Sequence, residues 1–178
     1  MKVLILPGIG NSGPDHWQTH WELLNRNYTR VNQPNWDNPD CSEWCAALEN
    51  KVKSSGPNTI LVAHSLACLL VAHWAAKTHL KINAALLVAV PNPKAPLFPT
   101  QAIGFEALPM QRLPFKSIVI ASTSDPYGDI RYSEECASIW GSEIVNIGDA
   151  GHINSTSGLG AWPEGHKILQ KLQLNPTA

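Results

Sequence analysis

The stretch TILVAHSLACLLVAHW (residues 59–74) joins an apolar, β-branched run directly to an apolar helical pattern. Ser65 stands at the junction, and the small residues Ala63 and Ala67 flank it at positions −2 and +2. In so tight a strand-to-helix turn the central residue is strained, and bulky side chains at ±2 would collide. The spacing is typical of a nucleophile elbow, G-x-S-x-G, with alanine in place of both glycines. The alternative is that Ser65 is an ordinary helix N-cap, a role that serines often take after a strand.

Short apolar runs alternate with helical patterns along the whole chain. The runs lack period-2 alternation, which indicates strands buried on both faces and therefore a parallel sheet. The pattern predicts a doubly wound α/β fold, with a mainly parallel sheet of about six strands flanked by helices, in a single domain over residues 1–178. The predicted strands cover 3–6, 28–32, 59–63, 84–90, 117–122 and 143–147, and the predicted helices lie near 15–25, 42–54, 66–79, 131–140 and 162–173.

The composition is that of a compact globular protein. Hydrophobic residues make up 44% of the 178 residues and charged residues 15%, which excludes extensive disorder. The net charge is −1 and there is no basic run, so neither nucleic acid nor an anionic membrane is an expected partner. The opening MKVLILPGIG is interpreted as a first strand because a secretory apolar region would be longer, and no apolar run reaches the length of a membrane span. We therefore expect a cytoplasmic protein.

The four cysteines give no sign of a metal centre or a disulfide framework. None of Cys41, Cys45, Cys68 and Cys136 forms a C-x-x-C motif, and the i, i+4 pair Cys41 and Cys45 has no histidine at zinc-ligand spacing. We expect reduced thiols and no metal site.

Two later strand ends carry the residue types that an elbow serine needs as partners. The strand and loop SIVIASTSD end at Asp125, and EIVNIGDAGH ends at His152. The order serine, acid, histidine is that of hydrolases with a nucleophile elbow, and all three follow strands whose carboxyl ends share one sheet edge. Asp129 and Asp149 are the rival acids. Asp129 requires a longer loop and Asp149 lies only three residues before the histidine, so Asp125 is preferred.

The other histidines are weaker candidates for the base. His64 adjoins Ser65, but neighbouring residues in an elbow point apart, so it is not expected to take the serine proton. His16 and His20 lack the glutamate of a zinc-protease helix and are expected on a helix surface. The remaining histidines, expected to face solvent or to pack within helices, are His73, His79 and His166.

The opening loop LILPGIGNSGPDHW has glycines at G-x-G-x-x-G spacing, which suits either a dinucleotide or an oxyanion. A dinucleotide site needs an acidic residue at the end of the second strand, where Asn32 and Gln33 stand instead. In a hydrolase the same loop offers one backbone N–H to the oxyanion, and the residue after the nucleophile offers the other. Ile9, with Gly10 as second choice, and Leu66 are the predicted donors.

Residues 90–114 contain six prolines and little predicted structure. The segment follows a strand end, where open α/β sheets place their ligand crevice. It is interpreted as a stiff connector, a rim over the site, or both. It is too short for a separate cap with its own core. The candidate substrate contacts are Gly10, Leu97, Phe98 and Phe105.

Four motifs together resemble the YdeN-like small serine hydrolases, the group that includes retinoblastoma-binding protein 9, within the α/β-hydrolase superfamily. They are LPGIGNSGPDHWQTHWE in the opening loop, VAHSLA at the elbow, SDPY at the acid and GHIN at the base. The resemblance spans the chain and implies a minimal α/β-hydrolase fold without a large cap. It also implies Ser65 as nucleophile, Asp125 as acid and His152 as base, with no cofactor or metal.

The chemistry expected from these residues is acyl transfer to water on a small-molecule acyl substrate. Ester, thioester and amide substrates share the same steps, so the residues do not choose among them. Two alternatives stay open: a nucleotide- or flavin-binding module, and a catalytically silent hydrolase relative that acts as a binding protein.

Overall fold

The computed structural model describes residues 1–174 and is built on one sheet in which all paired strands run parallel. The strand order is β2-β1-β3-β4-β5-β6, so the chain starts near one side of the sheet and winds outward in both directions. The predicted α/β class with a parallel sheet is confirmed. The strands are β1 (Lys2–Leu6), β2 (Tyr28–Arg30), β3 (Thr59–His64), β4 (Ala84–Val88), β5 (Lys116–Ala121) and β6 (Glu143–Asn146).

Helices cover both faces of the sheet. One face packs against the second, third and fourth helices, and the opposite face packs against the first and last. Among residues 1–174, no helix is both long enough and apolar enough to cross a membrane. The helices are α1 (Trp17–Leu24), α2 (Cys41–Ser55), α3 (Leu66–Ala75), α4 (Ile130–Trp140) and α5 (Pro163–Leu174).

The central strands are apolar over most of their length because both of their faces are covered. In β3, Leu61 and Ala63 pack toward α2 and α3, while Ile60 and Val62 pack toward α1 and α5. Full burial of a side chain the size of leucine or isoleucine contributes about 1.5–3 kcal/mol. The apolar side chains whose pattern predicted a parallel sheet therefore also stabilise it most, through their burial.

Several elements are shorter than predicted, among them β2, β4, β6 and α3. The strand expected over 84–90 ends at Val88, because Ala89 has a left-handed φ of 57°. The helix expected over 66–79 ends at Ala75. Beyond it, the Thr78 hydroxyl accepts the Leu80 N–H at 3.0 Å, a local bond that competes with continued helix.

Candidate active site

Ser65 occupies a strained turn between β3 and α3. Its backbone has φ 55° and ψ −126°, outside the regions that residues with a side chain normally adopt, at a cost of about 1–3 kcal/mol. The Ser65 N–H donates to the Val88 carbonyl at 2.9 Å, which ties the turn to β4. Within the described chain, the Ser65 side chain makes no capping hydrogen bond to α3. Ser65 thus occupies the N-cap position of α3 without the side-chain bond of an ordinary cap, and its hydroxyl is free to serve another partner.

That partner is His152, and the contact continues to a carboxylate. Ser65 Oγ lies 2.7 Å from His152 Nε2, and His152 Nδ1 lies 2.9 Å from both carboxylate oxygens of Asp125. A carboxylate can only accept, so Nδ1 of a neutral imidazole carries the proton and Nε2 accepts the serine hydroxyl. The three side chains form one continuous hydrogen-bond chain, in which Ser65 Oγ donates to His152 and His152 donates to Asp125.

The Asp125 end of this hydrogen-bond chain is buried. The Asp125 side chain is 2% exposed and the His152 side chain 10%, so their attraction is screened less than that of a surface pair. Asp125 Oδ1 also accepts the Tyr127 N–H at 2.9 Å, which holds the carboxylate in the turn after β5. The Tyr127 ring packs against the imidazole at a centroid distance of 4.5 Å. These contacts restrict the orientation of His152.

The two rival acids are engaged elsewhere. Asp129 is the N-cap of α4, where its side chain accepts the Tyr132 N–H at 2.8 Å. Asp149 lies on the exposed loop after β6, where its side chain accepts a hydrogen bond from the Ser124 hydroxyl. Of the three candidate acids, Asp125 is the one that the structure brings to His152.

His64 and His16 both lie at the site, but neither takes the place expected of a base. His64 Nε2 lies 2.9 Å from the His152 carbonyl oxygen. Burial lowers the pKa of His64 well below its usual range, and the neighbouring histidines add to this effect. His16 packs edge-on against His64 at 4.7 Å.

The expectation that His16 lies on a helix surface is wrong. The residue is 5% exposed and caps α1, with Nδ1 accepting the Gln18 N–H at 3.2 Å. Burial, with a smaller contribution from Arg30, lowers its pKa to about 4. The neutral ring therefore carries its proton on Nε2, an atom that is buried and has no hydrogen-bond partner among the described residues.

The opening loop lies directly against the elbow. A Cβ added to Gly8 would stand 3.0 Å from Ser65 Cβ and 3.1 Å from the His64 carbonyl oxygen, so only glycine fits without a shift. Ile9 follows in the wall of the cleft beside Ser65. Leu66 is the first residue of α3, a position whose N–H has no acceptor within the helix. The loop thus places Ile9 in the wall of the same cleft that Leu66 lines.

Gly10, the second choice for that role, is not placed to fill it. Its N–H donates to the Trp36 carbonyl at 2.9 Å, and the residue does not line the cleft. Its φ of 72° serves the turn instead. Among the three glycines of the opening motif, Gly8 makes the close approach to the elbow.

A cleft of about 380 Å³ opens beside Ser65. The proline-rich segment forms one wall of it, so this segment is a rim as well as a connector. All of residues 90–114 are described, and none of them is helical. The residues that line the cleft are Gly8, Ile9, Asn11, Gly13, His16, His64, Ser65, Leu66, Pro91, Leu97, Phe98, Pro99, Gln101, Tyr127, His152, Asn154 and Ser155.

Leu97 and Phe98 lie in the cleft wall, as predicted, but Phe105 does not. Phe105 is fully buried and packs against Trp44 of α2 at 5.9 Å. Ile103 pairs with the start of α2, its N–H donating to the Pro39 carbonyl and its carbonyl accepting the Cys41 N–H. This pairing directs the chain after Ile103 into the core, so Phe105 is not part of the site.

Sequence reasoning missed several polar residues of the cleft. Tyr127 stands two residues after Asp125 and Asn154 two after His152, so proximity to the predicted acid and base was an available signal for both. Asn11 and Gln101 reach the cleft only through the folding of their loops. Among the described residues that line the cleft, none is Asp, Glu, Lys or Arg, which makes the lining neutral apart from its histidines.

Comparisons with known proteins give the family and the fold. The family model for serine hydrolases matches residues 3–171. A search of curated proteins gave no significant match. The chain is similar to a YdeN-like hydrolase from Pectobacterium atrosepticum, with 28% identity, a TM-score of 0.84, and coverage of 96% of this chain and 89% of that one.

Two more distant crystal structures show the same fold. The ydeN gene product of B. subtilis is 21% identical, with a TM-score of 0.79 and coverage of 98% of this chain and 99% of that one. The monoacylglycerol lipase of Paleococcus ferrophilus is 13% identical, with a TM-score of 0.72 and coverage of 96% and 93%.

Proposed function

The chain belongs to the YdeN-like serine hydrolase family, and we therefore propose that it hydrolyses small, uncharged carboxylic esters through a serine-bound acyl intermediate. Ser65 is the nucleophile, His152 the general base and Asp125 the acid that orients the base. The observation that carries this proposal is the unbroken hydrogen-bond chain from Ser65 Oγ through His152 to Asp125.

In the first step, Ser65 Oγ attacks the ester carbonyl carbon while His152 Nε2 takes the hydroxyl proton. Asp125 holds the imidazole in the tautomer that leaves Nε2 free to accept, and it stabilises the imidazolium once formed. The N–H groups of Ile9 and Leu66 stabilise the negative charge on the carbonyl oxygen. Because the elbow is already strained and fixed, little reorganisation is needed at this point.

In the second step, the tetrahedral intermediate collapses and His152 returns the proton to the leaving alcohol oxygen. A water molecule then attacks the acyl-Ser65 carbonyl while His152 takes a proton from it. As the bond between the acyl carbon and Ser65 Oγ breaks, His152 returns that proton to Oγ and the carboxylic acid is released. Thioesters and amides can follow the same steps, so they are secondary substrate classes for the same residues.

The lining of the cleft supports a small and neutral substrate. Leu97, Phe98 and Pro99 offer apolar surface for a short acyl chain, while Asn11 and Asn154 offer amide groups to a polar leaving group. A carboxylate or ammonium on the substrate would lose hydration without gaining an opposite charge from the cleft wall. We therefore infer that charged acyl groups are disfavoured.

A fluorophosphonate probe tests the proposal directly. We expect the protein to gain one covalent label, located on the Ser65 peptide by mass spectrometry, and to hydrolyse p-nitrophenyl butyrate. The variant Ser65→Ala should lose both properties, while Ser54→Ala, which removes an exposed hydroxyl at the end of α2, should keep them. A folded wild-type protein that neither labels nor hydrolyses esters would contradict the proposal and favour a silent, ligand-binding relative.

A further inference from the structure

We propose that Trp17 and His64 are positioning residues for His152, because they hold two consecutive carbonyl groups of the loop that carries it. The Trp17 indole N–H donates to the Ile153 carbonyl at 2.8 Å, and His64 Nε2 donates to the His152 carbonyl at 2.9 Å. A carbonyl oxygen can only accept, so His64 Nε2 must carry a proton. The inference rests on the proposed role of His152 as base.

The backbone that these donors hold is strained. Ile153 has a φ of 48°, which is a genuine outlier for a β-branched residue. Its side chain is fully buried, and its N–H closes a turn on the Ala150 carbonyl at 3.2 Å. A strained conformation persists only where surrounding contacts over-determine it. The two ring N–H groups supply contacts of that kind at the residue that must be placed accurately.

The two donors come from rigid parts of the fold far from His152 in sequence. His64 is the last residue of β3 and precedes Ser65, so one strand end carries the nucleophile and also holds the backbone of the base. Trp17 is the first residue of α1 and packs against Trp21 at 4.6 Å and Trp162 at 5.1 Å. The separation of Ser65 Oγ and His152 Nε2 is thus set through both the side chains and the main chain.

A matched pair of tryptophan variants tests this role. Trp17→Phe removes the N–H that holds Ile153 and keeps an aromatic ring. Trp21→Phe removes a comparable N–H, which donates to the Ala161 carbonyl at 2.7 Å, away from His152. Both tryptophans are 1% exposed, so the two variants should lose similar thermal stability. We expect Trp17→Phe to lower kcat for p-nitrophenyl butyrate by about 10- to 100-fold with KM nearly unchanged, and Trp21→Phe to leave kcat within about twofold.

A second pair of variants tests His64 and does not depend on the tryptophans. His64→Leu removes the donor to the His152 carbonyl, whereas the amide of His64→Gln can still supply an N–H in that direction. We expect kcat to fall in His64→Leu and to recover substantially in His64→Gln. All variants are assayed well below their own melting temperatures, so loss of folded protein does not enter the comparison.

The outcomes separate this inference from the proposed function. Equal kcat values for Trp17→Phe and Trp21→Phe, or a His64→Gln variant as impaired as His64→Leu, would overturn the positioning role while the wild type still hydrolyses esters. A wild type that neither labels nor hydrolyses would instead overturn the proposed function. If Trp17→Phe does not fold, the His64 pair decides the question.

Discussion

His152 Nε2 lies 2.7 Å from Ser65 Oγ although the two residues are 87 positions apart and follow strands separated by two others. The ends of β3 and β6 are three strand spacings apart, about 14 Å. The loop after β6 must therefore return across the sheet edge toward β3. Its return begins where the Ile147 N–H donates to the Ala121 carbonyl and the Thr123 N–H donates to the Gly148 carbonyl. The contact depends on the path of this loop as well as on strand order.

The strain at Ser65 predicts a difference between two inactive variants. Ser65→Ala and Ser65→Gly both lack Oγ, but only glycine adopts the φ of 55° without steric cost. We expect Ser65→Gly to have a free energy of unfolding higher than that of Ser65→Ala by about 1 kcal/mol, since relief of strain exceeds the added entropy of the unfolded chain. Urea denaturation of both variants measures the difference. A more stable alanine variant would show that the elbow is not strained.

Replacement of the acids should rank them clearly. Asp125→Asn cannot hold the imidazole tautomer, so we expect kcat to fall by about two to four orders of magnitude. Asp129→Asn keeps a side chain that caps α4 equally well, and Asp149→Asn alters an exposed loop contact. Each of these should lower kcat far less. Steady-state kinetics on one ester test the ranking, and a larger loss at Asp129 or Asp149 would reassign the acid.

The close approach of Gly8 to the elbow predicts that it is intolerant of a methyl group. In Gly8→Ala the new Cβ meets Ser65 Cβ at 3.0 Å and the His64 carbonyl at 3.1 Å, so the loop with Ile9 must shift. We expect kcat to fall by about tenfold through misplacement of the oxyanion donor. Gly13→Ala is the comparison in the same loop because its Cβ meets nothing within 4 Å; since Gly13 also lines the cleft, kcat and not KM is compared. Similar kinetics for the two variants would argue against a role for this loop.

The buried cap at His16 predicts acid sensitivity of the fold. Its pKa is lowered from 6.5 to about 4, so the unfolded state binds more protons between these values and stability falls as the pH drops through this window. The contribution of His16 lost between pH 7 and about pH 4.5 is about 2–3 kcal/mol. His16→Asn keeps a capping acceptor but cannot titrate in this range.

Urea denaturation at both pH values measures this effect. The free energy of unfolding should drop less on acidification in His16→Asn than in the wild type. An equal drop in the two proteins would show that His16 is not held neutral by burial.

The size and neutrality of the cleft predict substrate preference. In a p-nitrophenyl ester series from acetate to palmitate, we expect kcat/KM to be highest at about C2 to C6 and to decline for longer chains, since a short groove buries few methylenes at about 0.8 kcal/mol each. The mono-p-nitrophenyl ester of succinic acid, which matches butyrate in length but carries a carboxylate, should be the poorer substrate. Best activity on palmitate, or no discrimination against the succinate ester, would contradict this assignment.

Several features of the fold and site were predictable because their signals are local. Apolar runs without alternation identified the strands, and small residues on either side of Ser65 identified the tight turn. The order of Asp125 and His152 on later strand ends selected them from several acids and histidines. Element ends were less predictable, as the early ends of β4 and α3 show, because single bonds and torsions at Ala89 and Thr78 decide them.

The sequence by itself determined the parallel α/β fold, the elbow at Ser65 and the residue types at the two later strand ends, since each depends on neighbouring residues. Only the tertiary structure decided that Phe105 enters the core, that His16 is a buried cap, and that Trp17 and His64 hold the carbonyls behind His152. These arrangements depend on contacts between segments far apart in the chain. The spacing of residues along the chain does not predict such contacts, because the packing of helices and strands against one another determines the paths of the loops.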